Sequence, residues 1–297
     1  MIKRPVALWK NRMIRIESIY TVCDGKQINI EGKVEEIRAL GQNKELFCPC
    51  RCGKNLILIA SDRNLKTQHF RILDGKESEN CTWVPESKNS VDAKVTLKCW
   101  LDDKLKTDDV EAEVPICTVE DNSRKYEFTF LSEKKQVALS YCQERTNLSD
   151  EKINILEENS QGIHLLYVVD RKNIHNQGQY PEWLMKIQRK QGFCLFLSAK
   201  SRDYYSAVLT VAYYEIEENG QWKEYIIEEQ LLNEFDINSN GQLTIKDRSL
   251  QEMTGQVVNK IRLEKQKRED SYNQLFQKWK EKGIDIRVPE HARRTGI

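Results

Sequence analysis

Polar and apolar residues change rhythm several times along the chain, and each change predicts an element. Over residues 13 to 40, short runs broken at Asp24-Gly25 predict strands joined by a tight turn. From Glu86 to Leu101 the residues Val91, Val95, Leu97 and Trp100 give a helix its apolar side. Three strand-like runs follow, Val110 to Thr118, Tyr126 to Leu131 and Gln136 to Cys142. Ser149 to Glu158 predicts a helix opened by Ser149 or Asp150 as its cap. The next run, Gly162 to Asp170, is almost continuously apolar, as expected of a strand buried on both faces. Phe193 to Ser198 and Ala207 to Glu217 predict more strands, and Glu252 to Lys282 a long helix ending before Gly283. Helix, strands, helix and buried strand in that order describe a mixed α/β core. No internal repeat and no low-complexity linker interrupts it.

Composition adds limits. Of 297 residues, 31% are charged and 39% hydrophobic, which fits a soluble globular chain of one to three domains. There is no apolar run of membrane-spanning length, and residues 1 to 10 show no secretory pattern, so a cytoplasmic, non-membrane protein is expected. The net charge of +1 does not announce a nucleic-acid partner. Lys260 to Lys282 is rich in Lys and Arg but interleaved with Glu264, Glu269, Asp270 and Glu281. That pattern reads either as a solvated helix face laced with ion pairs or as a phosphate-binding helix.

Nine cysteines need a different explanation from disulfides, which are rare in a reducing compartment. Cys99 and Cys194 have apolar neighbours and read as core residues. Four others fall between 48 and 81. The segment FCPCRCGK, residues 47 to 54, has Pro49 and Gly53 to bend the chain so that thiolates aim at one point. His69 and Cys81 form a second arm, and Leu56 to Ala60 supplies a hairpin strand between. Cys48, Cys50, Cys52, His69 and Cys81 therefore contain the ligands of a structural zinc ion. The spacing favours Cys48, Cys52, His69 and Cys81, with Cys50 as spare or substitute. Free surface thiols are the bland alternative.

With the knuckle and His69-Phe70, the chain resembles the competence protein CoiA-like family, in which a zinc-ribbon-like segment precedes a PD-(D/E)XK nuclease-like domain. FCPCRCG, QHFRI and ENC follow the family's order, with Ile72 at its second histidine. Glu86, Ser87 and Lys94 continue the resemblance, with Ser90 where a histidine would fall. Asn147 to Asp150 and Gly162 to Asp170 then match its later helix and final strand. The resemblance covers about residues 45 to 170. It implies a restriction-endonuclease-like mixed sheet with flanking helices. The organisation would be N-terminal strands at 1–44, a zinc-ribbon-like module at 45–85, a nuclease-like domain at 86–215 and a C-terminal extension of strands and a helix at 216–297.

In such a nuclease, carboxylates at neighbouring strand ends hold a divalent ion that activates water. The resemblance puts Glu113 (or Glu111) at the upstream acid and Glu127 at the Asp of the Pro-Asp step. It puts Ser140 and Cys142 at the Glu and Lys or Gln positions. Serine brings no charge to a divalent ion, so a degenerate nuclease is expected, acting on or beside DNA in competence or in defence against foreign DNA. An active enzyme would use Mg2+ or Mn2+ with Glu113 and Glu127. A non-catalytic subunit that binds a protein partner is the competing expectation.

One further motif stands apart. DINSNGQLTIKD, residues 236 to 247, fits a calcium loop through Asp236, Asn238, Asn240 and Asp247, with Gly241 at the turn. A β-hairpin turn over Asn238 to Gly241 explains the same residues and is the favoured reading.

Overall fold

The computed structural model describes residues 4–10, 12–23, 26–60, 68–81, 87–105, 111–112, 115–117, 123–125, 128–131, 136–142, 163–171, 182–199, 202–217 and 219–283. Contacts divide the chain into two compact units, Met1–Gln251 and Glu252–Ile297.

The first unit opens with small antiparallel pieces. Strand β1 (Val6–Trp9) pairs with β2 (Arg12–Arg15), and β3 (Tyr20–Cys23) with β4 (Lys26–Asn29). Helix α1 (Lys33–Gln42) follows where strands were expected to continue. Its buried residues Val34, Ile37 and Gly41 recur at helical spacing, a three-residue signal too short to stand out from the strand rhythm before it. Gly41 lies against the backbone of β5 (Leu56–Ile59). A Cβ there would sit 3.1 Å from Ile57 Cα, so any larger residue would have to push β5 back by a few tenths of an ångström. Strand β5 pairs with β6 (His69–Ile72), which gives the expected hairpin around Leu56 to Ala60.

Helix α2 (Lys88–Leu105) confirms the helix expected from Glu86 to Leu101. It is buried all the way from Ser90 to Leu101, not on one side. Its polar residues are paired: Asp92 accepts from Arg202 Nε at 2.8 Å, and Lys98 donates to Asp102 at 2.6 Å. Trp100 Nε1 donates to the Phe235 carbonyl at 3.1 Å. A buried charge with a partner of this kind is tolerable, whereas a lone one is not.

The main sheet has seven strands. Strand β7 (Glu111–Ala112) is one edge, and the short pair β8 (Pro115–Cys117) and β9 (Ser123–Lys125) stands apart as its own sheet. Then come β10 (Phe128–Leu131), β11 (Gln136–Cys142) and β12 (Ile163–Asp170). Helix α3 (Glu182–Gln191) precedes β13 (Cys194–Ser198), β14 (Val208–Ile216) and β15 (Trp222–Leu231). The order across the sheet is β15-β14-β13-β12-β11-β10-β7. The pairs β11–β12 and β12–β13 are parallel and the others antiparallel. The mixed α/β core is therefore as expected. Strand β15, in the segment assigned from sequence to the C-terminal extension, belongs to this sheet. The helix expected at Ser149 to Glu158 lies outside the described residues.

The sheet core beneath α3 contains Ala138, Cys142, Leu165, Tyr167, Val169, Leu184, Ile187, Cys194, Phe196 and Tyr214, all nearly solvent-free. Helix α3 was missed in the sequence because its apolar residues Leu184, Met185 and Ile187 are interleaved with Lys186, Gln188 and Gln191. Those glutamines face inward. Gln188 binds both backbone groups of Tyr214, at 2.7 and 2.8 Å, and the Gln191 carbonyl accepts from the Tyr167 N–H at 2.8 Å. Hydrogen bonds of this kind offset the cost of taking the two amides out of water.

The unit closes with β16 (Phe235–Ile237), β17 (Leu243–Ile245) and β18 (Arg248–Ser249). Helix α4 (Leu250–Glu281) begins there and makes up the described part of the second unit from Glu252, matching the expected C-terminal helix. Gly283 follows at φ 65°, a left-handed stop. No helix among the described residues is long and apolar enough to cross a membrane.

Candidate metal centre

The knuckle is built by backbone geometry first. Phe47 exchanges two hydrogen bonds with Leu8, each 2.8 Å, which anchors the knuckle to β1. The Cys48 N–H then donates to the Lys54 carbonyl at 2.9 Å, closing the loop. Inside it the Arg51 N–H donates to the Cys48 carbonyl, also at 2.9 Å. Arg51 and Gly53 take left-handed φ values of 60° and 80°. Two such turns in three residues let Cys48, Cys50 and Cys52 bring their sulfurs to the same side.

The fourth sulfur arrives from another loop. Beyond β6 the chain turns at Leu73 to Gly75, held by Lys54 on Asp74 at 2.8 Å, a contact that lowers the Asp74 carboxyl below its ordinary range. A second turn, with the Cys81 N–H on the Ser78 carbonyl at 3.0 Å, presents Cys81.

The four ligand atoms lie within 4.8 Å of one another. Cys50 Sγ is 3.3 Å from Cys48 Sγ and 3.5 Å from Cys81 Sγ, and Cys48 and Cys81 are 3.9 Å apart. A tetrahedral zinc ion with four sulfurs about 2.3 Å away sets sulfurs about 3.8 Å from each other. The donor set and its spacing therefore fit zinc, and the cluster could hold such an ion. All four are free cysteines, with Cys48 buried and the others half-buried.

The electrostatics of the four thiols are uneven. Burial pushes the Cys48 thiol up to about 12. Burial also opposes the Cys50 thiolate, but hydrogen bonds from Cys48, Cys52, the Cys52 backbone and Cys81 outweigh it and hold Cys50 down to about 6. Cys52 is raised, first by burial. A zinc ion held by these four residues would bind them as thiolates, with release of their protons. Beside them Arg4 is fully buried, with its guanidinium forked on Glu77 and a donor 3.6 Å from Cys81 Sγ. Burial works against the Arg4 charge, but the bonds to Glu77 and to the cysteines raise its pKa.

The structure thus brings Cys48, Cys50, Cys52 and Cys81 together. His69, on β6 opposite Ile59, is not among the four. The set favoured from spacing included His69 and left Cys50 spare. In the fold Cys50 stands within 3.5 Å of two other sulfurs. A zinc-knuckle template with two residues between cysteines hides this, because the left-handed Arg51 is not visible in its residue type.

The nuclease-like positions are distributed differently. Glu113 and Glu127 lie outside the described residues. Ser140 and Cys142 lie on β11 opposite Tyr167 and Val169, at 4% and 2% exposure. Alternation puts them on one face of the strand, and Cys142 packs in the core beneath α3. Among the described residues, the four cysteines form the one group of metal-ligating side chains.

The 236–247 segment is a hairpin. Asn238 Oδ1 accepts from the N–H groups of Asn240 and Gln242, both at 3.0 Å, and Asp236 pairs with Lys104 at 2.7 Å. These oxygens close the turn and an ion pair, so the arrangement gives no support to a calcium ion there. Tyr204 and Tyr214 are buried, and Trp183 and Trp222 pack against the core, so none of these four aromatic residues offers an open face to stack on a base.

Compared with known proteins, the chain matches no family model, no curated protein and no solved structure.

Proposed function

We propose that this is a zinc-stapled, nucleic-acid-associated protein whose α/β domain is a nuclease-like scaffold that does not cut. The observation that carries the non-cutting part is the burial of Ser140 and Cys142. These residues stand where the CoiA-like resemblance expects the Glu and the Lys or Gln of the catalytic strand. A divalent ion there would meet a core closed by Leu184 and Cys194, with no carboxylate from β11. The succession α2, antiparallel β7-β10-β11 and parallel β12 supports the nuclease-like reading of the sheet. The four converging sulfurs support a structural zinc ion, which would add to the small core of Leu46, Leu56, Leu58, Phe70 and Ile72. Cys48, Cys50, Cys52 and Cys81 would hold it. The setting, DNA processing in competence or defence, follows from the resemblance.

The test uses the purified full chain with Mg2+ or Mn2+ and single- or double-stranded DNA. Binding that weakens as salt rises, without cleavage, is the expected result. Cleavage abolished by Glu127→Ala would overturn the non-cutting scaffold. Absence of any salt-dependent DNA affinity would remove the nucleic-acid role. Less than about half an equivalent of zinc per chain, by elemental analysis, would remove the metal.

A second reading, a protein-interaction subunit, is favoured by one observation. Tyr272, Leu275, Phe276 and Trp279 on α4 are 38–76% exposed. Their spacing puts them on one helix face, an arrangement that helical partners recognise. Co-purification of a stoichiometric partner that is lost on replacing Leu275 and Trp279 would decide for it.

A further inference from the structure

Arg4 is marked by no motif, yet it is among the largest fully buried side chains in the fold. Its N–H donates to the Phe70 carbonyl at 3.0 Å, and its own carbonyl accepts from the Phe70 N–H at 2.7 Å. The Arg4 backbone is thereby fixed to β6. From there the guanidinium reaches the loop that carries Cys81. Nη1 donates to Glu77 Oε1 at 3.2 Å, and Nη2 pairs with Glu77 Oε2 and also donates to Cys81 Sγ at 3.6 Å.

Cys81 is the sulfur with most need of such help. Cys48, Cys50 and Cys52 share one tight knuckle, whereas Cys81 comes from a loop held locally by the Ser78 turn. Glu77 is in that same loop. One buried cation therefore grips the loop at two points, a carboxylate and a thiol, and ties both to β6.

We propose that Arg4 is a positioning residue of the metal centre. It holds the Cys81 thiolate by an N–H···S bond and locks the Cys81 loop through Glu77. The inference rests on the zinc reading above. Donors that orient metal ligands in this way commonly contribute ten- to a hundredfold, roughly, to metal affinity.

The test compares zinc affinity, by competition with a chromogenic chelator, in the full chain and in Arg4→Met, Arg4→Lys and Glu77→Gln. Cobalt absorption of the same proteins reports the number of thiolates bound. Arg4→Met is expected to weaken zinc by about ten- to a hundredfold and to lose thiolate-to-cobalt charge-transfer intensity as Cys81 disengages. Arg4→Lys should restore part of both, since an ammonium still donates but cannot fork. Glu77→Gln, a change at a half-exposed residue, should fall between wild type and Arg4→Met. It keeps the test open if Arg4→Met does not fold. Affinity within about threefold of wild type with an unchanged cobalt spectrum, in Arg4→Met or, failing that, in Glu77→Gln, overturns the inference. Equal losses in Arg4→Lys and Arg4→Met also overturn it, because bulk and not donation would then be at work. A wild type without metal fails the zinc reading and this inference with it. A zinc-loaded wild type indifferent to Arg4 fails the inference alone.

Discussion

The knuckle region and the seven-stranded sheet are held together differently. Around β5 and β6 the buried apolar set is small, with Leu46, Leu56, Leu58, Phe70 and Ile72 at its centre, and four sulfurs converge beside it. The sheet contains no such cluster among its described residues and is held by apolar packing on strands that are almost solvent-free, above all β11, β12 and β13. The contrast teaches that one part of this chain should respond to metal and the other to cavities, with little crossing between them.

The largest expected effect breaks the metal side. Structural zinc in small modules contributes on the order of 10–16 kcal/mol. Cys50→Ser, or a strong chelator, should therefore abolish stoichiometric zinc and expose the amides of β5 and β6 to hydrogen exchange, while those of β11 and β12 stay protected. Cys50 is the informative choice because spacing alone made it the spare thiol. Full zinc occupancy in Cys50→Ser, with loss in His69→Ala, would restore the histidine set.

The complementary change breaks the packing side. Phe196 on β13 is fully buried and meets Tyr214 edge-on at 6.1 Å. Phe196→Ala should cost about 3–5 kcal/mol by denaturant melting, with zinc content unchanged. A loss of zinc in that variant would show that the two regions fold as one.

Much of this contrast could be read in the sequence, and the parts that could not have identifiable causes. Gly162 to Asp170 and Gln136 to Cys142 were legible because a strand buried on both faces leaves an unbroken apolar run. The long C-terminal helix was legible from length and composition. Helix α3 was not, since its buried face includes Gln188 and Gln191, whose role is to bind strand backbone. The cysteine cluster was legible as a cluster but not as a set. Its geometry depends on the left-handed turn at Arg51, and Arg4 reaches it from 77 residues before Cys81. No spacing rule links those positions.

A smaller effect tests the polar seam at the end of the sheet. Arg171 forks onto Glu224 at 2.6 and 3.1 Å, and the Tyr214 hydroxyl donates to the same carboxylate at 2.7 Å. Burial opposes the Glu224 charge, but Arg171 and Tyr214 outweigh it and hold its carboxyl below the ordinary range. A lowered folded pKa means that the contribution is complete above the ordinary glutamate value, about 4.3, and is lost as pH falls through the folded value. Arg171→Met should cost about 2 kcal/mol at neutral pH and should flatten the stability profile in acid. An acid profile identical to wild type would remove Glu224 from the account.

The smallest effect sharpens the comparison most finely, because it alters backbone and not chemistry. Gly53 sits at φ 80° with nothing within 4 Å of a Cβ placed there, so Gly53→Ala meets no steric clash with a neighbour. Its cost is conformational alone, about 1–2 kcal/mol for a left-handed residue with a side chain. In the sheet such a cost would appear as a lower melting temperature. In the knuckle the folded loop and the bound ion are linked, so it should appear instead as weaker zinc, by about five- to thirtyfold in chelator competition. Sheet stability, followed through exchange at β11 and β12, should not move. Gly53→Ala that lowers sheet protection and leaves zinc affinity untouched would mean that the knuckle is held by its packing on β1 and not by the metal.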